Sequence, residues 1–209
     1  MLESLLQAAR PLFTAAFTLW GSPVTWLEIV GFVLSVTMVL CNWRVNPLGW
    51  PLAMLSSFLY ALLFADSKLY GEAGLQLFFI AMAGWGWSQW LRGTGDGGRA
   101  LQVGTLSARQ RWLCLLGVLA AWPVLALALL RFTDSDAAWL DALPTVGSVA
   151  GTLLLARKRV ENWAVWTIVN LVSVALFASK GLWLTVVLYA LFTVMALWGW
   201  RTWRGMLRG

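Results

Sequence analysis

Trp163, Trp166 and Asn170 stand at i, i+3 and i+7, the spacing that gathers side chains on one stripe of an α-helix. Two indoles and an amide so placed can recognise a molecule but not make or break its bonds. An indole face attracts a cation by about 1 to 2 kcal/mol where water is excluded, and an amide offers both donors and an acceptor. The stripe therefore suits a flat polar ligand, a planar cationic ring above all, with no charge required of the protein. Asn46, Trp50, Ser56, Ser57 and Tyr60, then Gln76, Trp85 and Trp87, and later Asn162, Ser173, Tyr189 and Thr193 add amides, hydroxyls and indoles within apolar runs. Burying Asn or Gln in lipid costs free energy unless it is paired, so each is either a helix–helix contact or a ligand contact. Asn46, Gln76 and Asn170 are the amides suited to a carboxamide or to sugar hydroxyls. The competing reading of a tryptophan is an interfacial belt. It is the reading taken for Trp26, Trp90, Trp139, Trp183 and Trp203 near the span ends. Trp163, near a helix start, is open to both; Trp166 and Asn170 lie deeper.

Catalysis has little to work with. The chain has no His, which removes an HExxH zinc site, a His-based triad and a His-ligated haem. Cys41 and Cys114 lack metal-ligand spacing and read as small apolar residues. No Asp, Glu, Lys or Arg lies deep in an apolar run, so the ionisable group of a proton-coupled carrier and the carboxylate pair of an intramembrane enzyme are both missing. Sodium held by carbonyls and hydroxyls stays open. The stretch RGTGDGGRA at 92–100 lacks the GxxxxGK[ST] order and reads as a flexible loop, not a phosphate cradle. The expectation is a protein that is not an enzyme and uses no metal or cofactor.

The elements that must position the stripe follow from composition. Of 209 residues, 60% are hydrophobic and 11% charged, too little polar surface to cover a soluble globule, so the outside must be lipid. Uncharged runs fall at 29–43, 45–65, 73–91, 112–130, 142–156, 162–179 and 181–200, each long enough, or nearly so, to cross the hydrocarbon core as a helix. The class predicted is all-α integral membrane with seven transmembrane helices. In residues 1–22, Glu3, Gln7, Arg10, Thr14 and Thr18 recur every three or four positions, which predicts an N-terminal interfacial amphipathic helix ending near Gly21-Ser22-Pro23. A short extra span competes with that reading. The segment lacks the basic start of a signal peptide.

The chain also matches itself. Trp26, Glu28, Phe79, Trp85, Trp87 and Trp90 pair at one constant offset with Trp139, Asp141, Phe192, Trp198, Trp200 and Trp203. With a small gap, Asn46 and Trp50 pair with Asn162 and Trp166. The organisation read is two three-helix repeats at 23–92 and 132–203, a loop and linker helix at 93–131, and a tail at 204–209. An odd number of spans between copies makes the repeats parallel in the membrane. Gly31, Gly84, Gly86, Gly147 and Gly151 would let helices approach closely, in static packing or during rocking of the repeats. Eleven of the basic residues, from Arg44 and Arg92 through Arg157, Lys158 and Arg159 to Arg208, fall in connections on one side, which predicts a cytoplasmic C-terminus. The formal charge of +6 is thereby accounted for by the membrane, not by nucleic acid.

At this point the sequence resembles a known family. ENWAVWTIVN followed by LVSVALFASKGLWLTVVLYALFTVMALWGW, with AGLQLFFIAMAGWGWSQW in the first repeat, is similar to the PnuC transporters over roughly residues 25–203. The pattern WxxWxxxN at Trp163, Trp166 and Asn170, with Lys180-Gly181-Leu182 downstream, resembles that family's substrate motif. The resemblance implies a SWEET-like bundle of three, one and three helices in the bacterial inner membrane with its substrate at the centre, between the halves. It implies facilitated diffusion of nicotinamide riboside, trapped by a separate cytoplasmic kinase. Relatives carry thiamine or flavins, so the vitamin is less fixed than the fold. The first repeat has Asn46-Pro47 where the second has Asn162-Trp163, so the two halves of the site should differ. The competing functions are a SWEET-type sugar carrier and a membrane scaffold subunit. Partners expected are a small-molecule substrate and the lipid bilayer, and a homo-oligomer is compatible with the sequence.

Overall fold

The computed structural model describes residues 7, 10–19, 21–66, 70–93, 100–133, 137–179 and 183–208. Among the described residues seven long α-helices follow in chain order: α1 Trp26–Trp43, α2 Gly49–Asp66, α3 Tyr70–Arg92, α4 Ala108–Phe132, α5 Ala138–Ala156, α6 Asn162–Ser179 and α7 Trp183–Met206. Each overlaps one of the seven apolar runs. Five of them are long and apolar enough to cross a bilayer, and Gly49–Leu62 of α2 adds a shorter apolar segment. Their outward faces are apolar, with Val124 of α4 69% exposed and Phe132 78% exposed. Surfaces of that kind belong against lipid.

From Arg10 onward the N-terminal segment differs from the helix expected. Arg10–Phe13 forms one 3-10 turn, and β1 Ala15–Leu19 pairs antiparallel with β2 Ser22–Thr25. The polar period was real, but two local features override it. Gly21 takes φ +83°, which glycine adopts without strain and which turns the chain back. Pro23 has no N–H for a helix, and Phe17, Thr18, Val24 and Thr25 favour extended backbone. Residues 1–6, 8 and 9, most of the Gly-rich loop (94–99) and Lys180-Gly181-Leu182 lie outside the described residues.

The chain divides into two compact units, residues 1–91 and 92–209. In the first, α1 packs on α2 and against the hairpin. A capping box starts α1: Glu28 N–H donates to Thr25 Oγ1 (3.2 Å), while Glu28 Oε2 accepts from Thr25 N–H (2.7 Å). Two orphan N–H groups are satisfied at once. In the second unit α4 packs on α5, α5 on α6 and α6 on α7.

The two helix triplets repeat at the offset that relates Trp26 to Trp139, and no gap is needed. The bounds of α2 and α6 correspond end to end. Both connectors turn on a residue in the left-handed region, Val45 (φ +53°) and Lys158 (φ +51°). Asn46 N–H donates to Cys41 O, as Arg159 N–H does to Leu154 O, both at 2.9 Å. Trp50 N–H donates to Pro47 O (3.2 Å), as Trp163 N–H does to Val160 O (3.1 Å). The pairing of Asn46 and Trp50 with Asn162 and Trp166 is therefore corrected. Trp50 corresponds to Trp163, Gly49 to Asn162 and Asn46 to Arg159. Side-chain identity had suggested a shift that the backbone hydrogen bonds do not follow.

Candidate substrate-recognition site

The stripe on α6 is formed as its spacing requires, but its members face different neighbours. Trp163 is 3% exposed and lies against Gly199 of α7, where an added Cβ would come within 2.7 Å of three ring atoms. Its ring meets Trp203 edge to face, with centroids 5.5 Å apart at 90°. This geometry suits the aromatic quadrupoles. Trp166 is half-buried and turns to α5, where a Cβ on Gly151 would lie 2.9 Å from its Cε2. Asn170 and Ser173, one and two turns further on, are both buried. Val169 fills the space above Gly147 of α5, a Cβ there lying 2.5 Å from its Cγ2.

Asn162 is fully buried, and its Nδ2 donates to Arg159 O at 2.6 Å. Its Oδ1 and the Nε1 of Trp163 are buried with no hydrogen-bond partner among the described residues. Such groups cost about 1 to 3 kcal/mol each. Tyr189 of α7 sits 5.2 Å from Phe177 of α6, centroid to centroid, in a tilted pair.

The remaining predicted residues lie in the first unit. Trp50 repeats the Trp163 arrangement: its ring fills the space where a Cβ on Gly86 of α3 would stand, and it meets Trp90 edge to face at 5.6 Å and 85°. Its Nε1 is likewise buried without an acceptor among the described residues. Tyr60 places its hydroxyl 3.0 Å from where a Gly31 Cβ would be. Gln76 is half-buried on α3. Asn46 lies in the α1–α2 connector, before α2 begins, and its Oδ1 accepts from Leu48 N–H at 3.0 Å. That is the local bond of an Asx turn, and it corrects the placement of Asn46 inside a span.

Trp166 and Asn170 thus have no aromatic or amide counterpart. The same offset puts Ala53 and Ser57 in the first repeat. A buried amide does recur at the connector, from Asn42 of α1 beside Gly49 in one unit and from Asn162 in the other. Sequence reasoning missed Gly199 as the socket for Trp163, although the repeated WGW at Trp85 and Trp198 carried the signal.

A cavity of about 200 Å³ opens between α4, α5 and α6, lined by Cys114, Val118, Leu143, Gly147, Val165 and Ile168, with Arg111 and Glu161 also on its lining. Its walls are otherwise apolar and none of the stripe residues lines it. A ligand site needs a few convergent polar groups, and beyond Arg111 and Glu161 this cavity gathers none. No cluster of His, Cys, Asp or Glu able to hold a metal occurs among the described residues.

Apolar helices of membrane-spanning length define a multi-pass helical membrane protein. The chain belongs to the PnuC family: the family model described as nicotinamide mononucleotide transporter matches residues 25–205. It is similar to the riboflavin/roseoflavin transporter RibM of Streptomyces davaonensis, 31% identical over 90% of this chain and 89% of that one. It is also similar to the nicotinamide riboside transporter PnuC of Escherichia coli, 27% identical over 88% of this chain and 87% of the relative. Among solved structures, a crystal structure of the vitamin B3 transporter PnuC matches its fold with a TM-score of 0.72, covering 99% of this chain and 90% of that one at 22% identity.

Proposed function

We propose that this protein is a facilitator that carries nicotinamide riboside across the bacterial inner membrane, binding it on the α6 stripe. The observation that carries the reading is Trp166 and Asn170 one helical turn apart, on a helix that also buries Asn162, Trp163 and Ser173. The indole face attracts the nicotinamide ring, which is planar and cationic in the riboside, and the amide bonds its carboxamide or a ribose hydroxyl. Ser173 and Tyr189, in the same unit as the stripe, are further polar groups of the proposed recognition set. On this reading the stripe is exposed alternately to the two sides of the membrane, and the basic connections favour a cytoplasmic C-terminus. Without an intramembrane ionisable residue, net uptake rests on cytoplasmic phosphorylation of the riboside by a separate kinase.

A second reading is a riboflavin carrier, favoured by the 31% identity to RibM. Calorimetric titration of purified protein with nicotinamide riboside, nicotinamide mononucleotide, thiamine, riboflavin and a hexose decides between them. Binding of the riboside, with riboside uptake into proteoliposomes that persists without an ion gradient, is the expected result. Binding of riboflavin alone would move the assignment to flavins, and a strict sodium requirement would overturn facilitated diffusion.

A further inference from the structure

We infer that Glu161 is a positioning residue for the recognition stripe, holding the first turn of α6 in register through the segment that precedes α4. The inference rests on the proposed role of that stripe, and its geometry lies wholly within the second unit.

Glu161 immediately precedes Asn162, and its backbone carbonyl accepts from Ala164 N–H (3.1 Å) and Val165 N–H (3.2 Å), the opening bonds of α6. Its carboxylate points the other way. Both oxygens accept from Leu106 N–H, at 3.0 and 3.1 Å, and Oε1 also takes Arg111 Nε and Nη2, each at 3.0 Å. The carboxylate side chain is 18% exposed, whereas Arg111 is 57% exposed. A carboxylate met by a guanidinium fork and a backbone N–H is held in direction as well as distance.

The rest of the connector is fastened to the same segment. Gly104 N–H donates to Lys158 O (3.0 Å) and Val160 N–H donates to Gly104 O (2.9 Å), a short parallel bridge. Lys158 Nζ donates to Leu101 O at 2.9 Å, and partial burial pushes its pKa below the ordinary lysine value. Helix α4 starts on its own capping box, Ser107 with Gln110. Further along, Trp122 Nε1 donates to Trp139 O at 2.8 Å. The linker helix is thus tied to α5 and to the start of α6. Glu161 is where these ties reach the residue next to Asn162, Trp163 and Trp166.

Sequence alone offered one signal for this residue. Glu161 is one of two acids on the side otherwise filled by Arg and Lys. In the first unit the equivalent position is Leu48, so the device belongs to the repeat that carries Trp166 and Asn170.

The test uses Glu161→Ala, Glu161→Gln and Arg111→Ala in the full chain, titrated with nicotinamide riboside and riboflavin. The tryptophans are labelled as 5-fluorotryptophan, and Trp163 and Trp166 are assigned by single Trp→Phe changes. Glu161→Ala should bind at unchanged stoichiometry with Kd raised about tenfold, and Arg111→Ala about threefold, because charge-assisted bonds that fix orientation are lost. Glu161→Gln keeps an acceptor for Leu106 N–H and should fall between them. In all three the fluorine resonances of Trp163 and Trp166 should shift. A residue with only a structural role would lower the binding stoichiometry at unchanged Kd; that result, or unmoved resonances, overturns the inference. If Glu161→Ala does not fold, the other two variants decide. Failure of the unmodified protein to bind either vitamin would sink the proposed function, while the fluorine shifts would still settle whether Glu161 positions the stripe.

Discussion

The two three-helix repeats share a mechanical lock and differ in everything attached to it. In both, a tryptophan at the start of the middle helix wedges into a glycine of the third helix and stacks edge to face on a second tryptophan one turn later: Trp50, Gly86 and Trp90 in one, Trp163, Gly199 and Trp203 in the other. One turn into the middle helix they part. The second repeat has Trp166 and Asn170 where the first has Ala53 and Ser57. Its connector is bound by Glu161 and Lys158 to residues 101–111, while the first closes its turn with Asn46. Each repeat keeps the tryptophan wedge between its middle and third helices, and the two differ at positions the wedge does not use.

The comparison is broken most severely at the lock. Gly199→Ala should destabilise the protein by about 1 to 3 kcal/mol, since its Cβ falls on the Trp163 ring and a packed core yields little to overfilling. Gly86→Ala should cost a similar amount against Trp50. Thermal unfolding in detergent measures both, and a large effect at one glycine alone would show that the locks are not equivalent.

A smaller effect, confined to one repeat, is expected at the stripe. Trp166→Ala should weaken riboside binding by about 1 to 2 kcal/mol, the worth of a desolvated indole–cation contact, with the folded yield maintained. Titration beside size-exclusion yield checks it. Equal loss of both would assign Trp166 to packing against Gly151 and not to recognition.

The smallest effect lies in the connectors. Val45 holds φ +53°, a conformation that costs a β-branched residue about 1 to 2 kcal/mol, so Val45→Gly should raise the unfolding temperature. Lys158→Gly relieves the same strain at φ +51° but forfeits the bond to Leu101 O, and should gain less. An equal gain at both positions would show that the Lys158 tie contributes nothing.

Much of this was legible in the chain itself. Lipid as the solvent, the count of seven helices, and the existence of a repeat follow from composition, apolar run length and recurring Trp and Gly, because a spanning helix satisfies its own backbone and its length is set by the bilayer. The WxxWxxxN stripe was also readable, since helical spacing is a local property. The register of the repeat was not, because NPLGW and NWAVW match by identity one turn away from where their backbone bonds align.

Sequence by itself therefore determined what the protein is made of and which side chains could recognise a ligand. Tertiary structure decided what each one packs against. It set Trp163 and Trp50 as wedges, because only the neighbouring helix reveals that Gly199 or Gly86 stands opposite. It turned residues 10–25 into a 3-10 turn and a hairpin, because strand pairing joins residues that helical periodicity does not compare. It also placed Glu161 against Leu106 and Arg111, about fifty residues away in the chain. Periodicity reports the face a residue occupies, and packing alone reports what that face meets.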